Sequence, residues 1–215
     1  HHLETSPCGD YNFIVATYSA AAEIIIDLHE AAGVAMTKDT ATCLYVGLTT
    51  DTGGFRFANT NSGSHRRAAA LLETGINVSD ISTRAFDVLP KQKLWLLRCA
   101  LDHMEVSASR AFAHTWISSE DMKATGASGE DAEGLVNYAR NIEGVKVGFM
   151  ARELDNGKVK ISMRSRDGFN SAVLLKKLGG GGHAGAAGVT LEMSLEEARD
   201  TVVAAVSAAL GETDG

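Results

Sequence analysis

The chain has 215 residues, enough for one domain or two modest ones. Its composition, with 45% hydrophobic and 22% charged residues, is ordinary for a globular protein. The net charge of −7 argues against sequence-independent binding of long duplex nucleic acid, but it allows small phosphorylated ligands held by a few arginines. No apolar run approaches the roughly 20 residues needed to span a bilayer, and the first residues do not resemble a signal peptide. Three scattered cysteines without a CxxC motif indicate reduced thiols, so we expect a cytoplasmic protein that does not bind membranes.

The first part of the chain is predicted to be mainly helical. Residues 12–15 are a short strand candidate, and the spacing of apolar residues predicts helices over 20–32, 40–48 and 64–73. A helical connection is expected from residue 78 to residue 101. Many helices and few strands joined by short loops are typical of a doubly wound α/β layer.

The periodicity changes near residue 103, where we place a domain boundary that separates residues 1–102 from residues 103–215. Alternating polar and apolar residues predict strands over 104–107, 110–117, 145–154 and 158–164, the last two joined by the Asp155-Asn156-Gly157 turn. Helices are expected over 130–141, after Asn170, and after Ser194, which forms a capping box with Glu197. The second part is therefore predicted to be a mixed-sheet α+β module.

Two short segments carry candidate metal ligands. Adjacent residues of an extended segment point in opposite directions, so one of His1 and His2 could bind a metal while the other faces a substrate. Asp51 precedes Gly53 and Gly54, which could let its carboxylate project into a cleft and bind a hard cation. The alternatives are a tag remnant or surface pair for the histidines and an ordinary turn aspartate.

A glycine-rich segment, residues 179–188, carries the third candidate site. Its four consecutive glycines exceed what a helix stop requires, and their bare backbone N–H groups could form a concavity for anions. His183 could donate to a phosphate, and Arg164 and Arg166 just upstream offer guanidinium groups suited to bidentate phosphate contacts. A flexible surface loop is the alternative.

Taken in order, these motifs resemble the DHH superfamily of phosphoesterases with its DHH-associated C-terminal domain, particularly the nano-RNase type of oligoribonuclease and 3′-phosphoadenosine-5′-phosphate phosphatase. His1-His2 match the two histidines of the Asp-His-His motif, and the segment from Thr50 to Phe57 matches the fourth motif region. The C-terminal domain is matched by residues 133–137, by residues 162–165, and most specifically by residues 179–183. The resemblance implies an α/β fold, the C-terminal part of a parallel-sheet DHH domain followed by a smaller mixed-sheet α+β domain.

The resemblance also implies roles for individual residues. His1 and Asp51 would be ligands in a two-manganese site, where Asp51 and His2 would act in catalysis, His2 facing the scissile phosphate. The family's first motifs, including its Asp-x-Asp cluster, are missing, so we expect this chain to be a fragment that is inactive alone. Substrate binding is expected from the following residues: Arg56, Asn59, Arg164, Gly180, Gly181, Gly182 and His183.

The expected ligands are short oligoribonucleotides or small nucleotides, and a homodimer is compatible with the resemblance. Three other functions stay open on the sequence alone: an exopolyphosphatase, a RecJ-type exonuclease, and a nucleic-acid-binding module like the appendage of alanyl-tRNA synthetase. A RecJ-type enzyme usually carries an additional OB-fold after these domains, and the Asp51 region argues against a simple binding module.

Overall fold

The structure is a computed structural model that describes residues 9–166 and 168–211. The chain divides into two compact units, His1–Val88 and Leu89–Gly215. This division places the helical segment 91–102 in the second unit, earlier in the chain than the boundary that the change of periodicity indicates. No helix among the described residues is long and apolar enough to cross a membrane.

The described part of the first unit is helical. Its helices are α1 (Ala21–Ala31), α2 (Lys38–Asp51), α3 (Ser62–Glu73) and α4 (Val78–Ser82), the last continued by a π-helical turn over Thr83–Asp87. The side chains of Thr37, Asn61 and Asn77 cap the starts of α2, α3 and α4. Buried apolar residues of the four helices form one core, among them Ile26, Leu48, Leu71 and Ile81.

The strand predicted over residues 12–15 is wrong. These residues form neither helix nor strand, and no described segment of this unit offers them a strand to pair with. The side chain of Phe13 is 66% exposed. The short apolar run of Phe13, Ile14 and Val15 is present, but the backbone partner that a strand requires is not among residues 9–88.

A charged network lies at the contact of α1 and α3. Arg67 donates to both carboxylate oxygens of Asp27 at 2.8 and 2.7 Å and to the hydroxyl of Tyr18 at 2.7 Å. Glu23 is fully buried, accepts from the backbone N–H of Ser19 at 2.6 Å, and has its second oxygen 3.9 Å from Arg67. Arg67 is therefore the shared counter-charge of two carboxylates, the buried Glu23 and the partly exposed Asp27.

The second unit is a mixed sheet with helices on both faces. Its elements are α5 (Lys91–Asp102), β1 (Glu105–Val106), β2 (Phe112–Ile117), α6 (Ser119–Thr125), α7 (Val136–Arg140), β3 (Val147–Glu153), β4 (Val159–Ser165), α8 (Ser171–Lys176), β5 (Gly181–His183), β6 (Ala186–Leu191) and α9 (Leu195–Leu210). The strand order is β1-β2-β3-β4-β6-β5, and only β2 and β3 are parallel.

The two faces of this sheet are packed differently. On one face, alternate residues of β2, β3, β4 and β6 join apolar residues of α8 and α9 in the main core, which includes Phe149, Ile161, Met163 and Val202. The opposite face, called here the α7 face, is covered by α5 and α7 over β2 and β3. α7 also contacts β4, where Ser162 and Arg164 are partly buried, while Lys160 and Thr190 on this face are exposed.

The α/β class, the mixed-sheet module and the hairpin around Asp155-Asn156-Gly157 are confirmed. The helix predicted over residues 130–141 is largely wrong: Gly134 adopts a φ of +85°, which a helix cannot contain, so turns precede the short α7. The segment from Thr49 to Asp51, predicted as a loop, forms the last turn of α2, where the hydroxyls of Thr49 and Thr50 bond to carbonyls of the preceding turn.

Candidate functional site

The register of the sheet places the polar residues of three strands on the α7 face. Lys160 and Arg164 of β4 lie opposite Arg152 and Gly148 of β3, and on the other side Arg164 lies opposite Ala186 of β6. Ala186 in turn pairs with His183 of β5. Because directly paired residues share a face, Arg164 and His183 flank Ala186, two strand spacings or about 10 Å apart along the sheet.

The cations on this face have no acidic partner within the described part of the chain. Arg152, Lys160 and Arg164 form no ion pair there, although Arg152 and Arg164 are partly buried. Burial, and then the nearby guanidinium groups of Arg166 and Arg164, lower the pKa of Arg140. Clustered cations that form no ion pair repel one another, and a bound anion would relieve that repulsion.

A cavity of about 250 Å³ opens between this face and the segment that leads into α7. One wall is cationic, and the other is apolar and comes from the segment around α7 and from β3. The polar wall comprises Arg152, Lys160, Ser162 and Arg164, and the apolar wall Ala132, Val136 and Met150, with Glu133 contributing one carboxylate. A ligand with an anionic group and a flat apolar body fits this combination.

Close backbone approaches build the walls of this cavity. A Cβ on Gly148 would lie 2.3 Å from the backbone nitrogen of Arg140 and 2.7 Å from its Cα. Glycine at this position therefore lets α7 lie directly on β3, and α7 begins with Val136, which lines the cavity.

Three of the four consecutive glycines have a structural explanation, and for Gly179 it is a φ of +84°. A Cβ on Gly180 would lie 2.5 Å from the carbonyl oxygen of Gly188, and one on Gly182, where φ is +139°, would lie 2.5 Å from the carbonyl oxygen of Ala186. Gly181 has open space around it. Residues Gly181–His183 of this segment thus form the edge strand β5 and not a flexible surface loop.

The turn between β5 and β6 is anchored to the end of β4. The buried Ser165 Oγ lies 3.0 Å from the carbonyl oxygen of Ala184 and accepts a hydrogen bond from Ser171 Oγ at 2.8 Å. The backbone N–H of Ser171 also donates to Ala184, and that of Ser165 donates to Gly185. These bonds hold His183 in a defined position relative to Arg164, the residue before Ser165.

The other predicted site residues lie in the first unit, around the end of α2. Asp51 is exposed in the last turn, and Asn59 donates from its side chain to the carbonyls of Asp51 and Ser19, both at 3.1 Å. Arg56 is exposed and donates to the carbonyl of Gly53 at 2.7 Å. Three successive residues from Gly53 to Phe55 have positive φ, which glycine adopts readily, whereas Phe55 is strained in the way found at some functional sites.

The predicted metal ligand His1 and its neighbour His2 lie outside the described residues. Within residues 9–166 and 168–211, no three His, Cys, Asp or Glu side chains come together in a way that could hold a metal ion. Asp51 is one hard oxygen donor, but a two-metal site needs several. The described residues therefore do not by themselves provide the ligands of a manganese pair.

Comparison with known proteins agrees with this arrangement. Residues 112–212 match the model of the DHHA1 domain. This part of the chain is a DHHA1 domain. Its sheet, the cavity and the edge strand all lie within the second unit, and the resemblance to DHH-superfamily phosphoesterases is confirmed at the level of the family.

Longer relatives match beyond the DHHA1 domain. The chain is 33% identical over 207 residues to the bifunctional oligoribonuclease and PAP phosphatase NrnA of Thermus thermophilus, and 26% identical over 197 residues to the protein of that name from Bacillus subtilis. These alignments cover 96% and 89% of this chain but 62% and 61% of those relatives. The chain thus spans about three fifths of their length.

A solved structure extends the similarity to the fold. The crystal structure of an exopolyphosphatase-related protein from Bacteroides fragilis superposes with a TM-score of 0.90 at 28% identity. The alignment covers 96% of this chain and 62% of that protein. Both units are therefore represented in a protein of related sequence.

Several residues of the DHHA1 cavity were not among the predicted site residues, namely Arg152, Lys160, Ser162 and Glu133. A signal for the first two was available, because the turn at Asp155-Asn156-Gly157 places Arg152 opposite Lys160 in a hairpin. Glu133 and Val136 lie in the segment 133–137 that resembles the family, but no local pattern placed them beside the sheet, since a loop and α7 bring them there. His183 does not line the cavity and lies on the edge strand β5, paired with Ala186.

Proposed function

We propose that the DHHA1 domain of this chain binds the phosphate and base of a short oligoribonucleotide or small nucleotide. The chain would then be part of a phosphoesterase that hydrolyses such molecules. The observation that carries the proposal is the row formed by Arg152, Lys160 and Arg164, cations without carboxylate partners among the described residues, facing an apolar wall. The relatives named as oligoribonuclease and PAP phosphatase support the same substrate class.

Charge and shape assign the parts of the ligand. A guanidinium group can form two parallel hydrogen bonds with a phosphate, so Arg164 would hold a phosphate together with Lys160 or Arg152. The apolar wall of Ala132, Val136 and Met150 would contact the base. Polyphosphate would need the cations alone, and the apolar wall therefore favours a nucleotide over an exopolyphosphatase substrate.

For the whole enzyme, we propose the pair of manganese ions that the resemblance implies. Asp51 would contribute one ligand, His1 another, and His2 would face the scissile phosphate. Bound metal would supply a hydroxide nucleophile and charge stabilisation. The role of the DHHA1 domain is separate from that chemistry: it would bind and orient the substrate, and this can be measured without hydrolysis.

Calorimetric titration of the 215-residue chain with short RNAs tests the proposal. Replacing Arg164 with alanine removes a charge-assisted contact worth about 1.5–3 kcal/mol, so the affinity should fall roughly 10- to 100-fold. Lys158→Ala is the matched control, because Lys158 lies on the same hairpin, outside the cavity, and pairs with Glu192. It should leave the affinity within about twofold, as exposed ion pairs contribute little.

Two results would contradict the proposal. Equal losses in Arg164→Ala and Lys158→Ala would show that only net charge matters. Inorganic polyphosphate that binds more tightly than an RNA of matched charge would favour the exopolyphosphatase function instead.

A further inference from the structure

A second cavity, of about 700 Å³, lies next to the first. It is formed by α6, the segment that follows this helix, and the β3–β4 hairpin, and its apolar residues are Met122, Ala127 and Leu154. Its volume is in the range of sites that hold small organic ligands. None of the site residues expected from the sequence lies in it.

The two cavities meet at Arg152 and Gly129, which line both. A Cβ on Gly129 would lie 3.5 Å from both terminal nitrogens of Arg152, so the guanidinium group lies directly against a backbone without a side chain. Arg152 is partly buried and has no hydrogen bond or ion pair from its side chain within the described residues. An anion held by Arg152 would therefore sit at the junction of the two cavities.

The second cavity is not itself a phosphate site. Lys123 and Arg152 are balanced there by Glu153 and Asp155, and Glu153 accepts from the backbone N–H of Ser119 at 2.8 Å. A neutral group with both apolar and polar surface fits this lining better than a second phosphate does. A nucleoside has that character.

We propose that Arg152 binds the phosphodiester group that links two consecutive nucleosides of a short single-stranded RNA. One of these nucleosides lies in each cavity. The first cavity with Arg164 holds one nucleotide, and the second cavity holds its neighbour. This inference rests on the proposed function and deepens it, since it makes the DHHA1 domain a two-nucleotide site. It predicts that the domain binds a dinucleotide better than a mononucleotide.

The test compares two probes by calorimetric titration of the 215-residue chain, AMP and the dinucleotide pApA. Wild type should bind pApA at least about tenfold more tightly than AMP, the effect of one added stacking or apolar contact. Gly129→Leu places a side chain at the junction and should remove that difference, but Gly129 also lines the first cavity, so AMP affinity is judged in Ala127→Leu. Gly129→Ala is the matched control, because its Cβ makes only ordinary contact with Arg152 and should keep the difference.

Ala127→Leu provides an independent variant, because Ala127 lines only the second cavity. It should also weaken pApA and spare AMP, and it decides the matter if Gly129→Leu does not fold. Equal affinity of wild type for the two probes, unchanged pApA preference in a folded blocking variant, or an equal loss for both probes would each overturn the two-cavity site while leaving the proposed function in place. A wild type that binds neither probe nor longer RNA would overturn both.

Discussion

Replacing Gly148 with alanine should displace α7 from strand β3 and destabilise the second unit. The added Cβ would lie 2.3 Å from the backbone nitrogen of Arg140, 2.7 Å from its Cα and 2.8 Å from its Cβ. Two of these atoms belong to the backbone, so no side-chain rotation relieves the overlap. Overpacking of a well-packed interior typically costs about 1–3 kcal/mol, and we expect the upper end here.

The assay is thermal unfolding followed by circular dichroism. For a unit of this size, a loss of about 3 kcal/mol lowers Tm on the order of 10 °C. Gly181→Ala is the matched control, because Gly181 is also a strand glycine on the α7 face and a Cβ there has nothing within 4 Å. Its Tm should stay within about 2 °C of wild type.

The same substitution should also weaken nucleotide binding, since α7 carries Val136 into the cavity wall. A Gly148→Ala protein as stable as Gly181→Ala would show that α7 does not rest on this glycine, and the described cavity wall would be wrong. Lower stability with unchanged RNA affinity would keep the packing but remove the apolar wall from the binding site.

Three further changes test other parts of the molecule. Arg67→Met should lower the free energy of unfolding of the first unit in urea by about 2–4 kcal/mol, because it leaves Asp27 and the buried Glu23 without a counter-charge. Adding Glu23→Gln should recover part of the loss, and simple additivity of the two effects would contradict this. Burial lowers the pKa of His114 below 6.5, so on acidification the unfolded chain takes up a proton before the folded chain does. The contribution to stability is therefore full above about pH 6.5 and should decrease below it. His114→Leu should flatten this dependence of stability on pH, and an unchanged pH dependence would refute the prediction. In a longer protein that includes the residues upstream of His1, Asp51→Ala should abolish manganese-dependent hydrolysis of short RNAs but leave their binding intact; full activity would remove Asp51 from the metal site.

Much of the second unit could be predicted from local sequence signals. The Asp155-Asn156-Gly157 turn specifies a hairpin and its register, and Ser194 with Glu197 specifies the start of the last helix. Both are short-range effects, in which residues near in sequence satisfy one another's backbone groups. The placement of Lys160, Ser162 and Arg164 on one face follows from the same local alternation.

Two segments, one in each unit, illustrate where such signals end. Residues 12–15 carry a strand-like pattern, but a strand exists only when a second backbone offers hydrogen bonds, and the described residues offer none. Gly134 interrupts a segment whose composition favours a helix, and its positive φ follows from the path the chain takes toward β3. Asp51 was found by motif alone, and its local geometry depends on the contact with Asn59 across a turn.

The sequence by itself determined which residues are cationic and which residues of β4 share a face of the sheet. It also determined that a glycine-rich segment follows this strand. Tertiary structure decided that this segment is an edge strand, because Gly180 and Gly182 are needed only where β5 lies against β6. It also decided that α7 packs on β2, β3 and β4 and leaves Lys160 and Thr190 exposed on the same face. Helix packing joins residues far apart in the chain, and no local pattern records which part of a sheet a distant helix will cover.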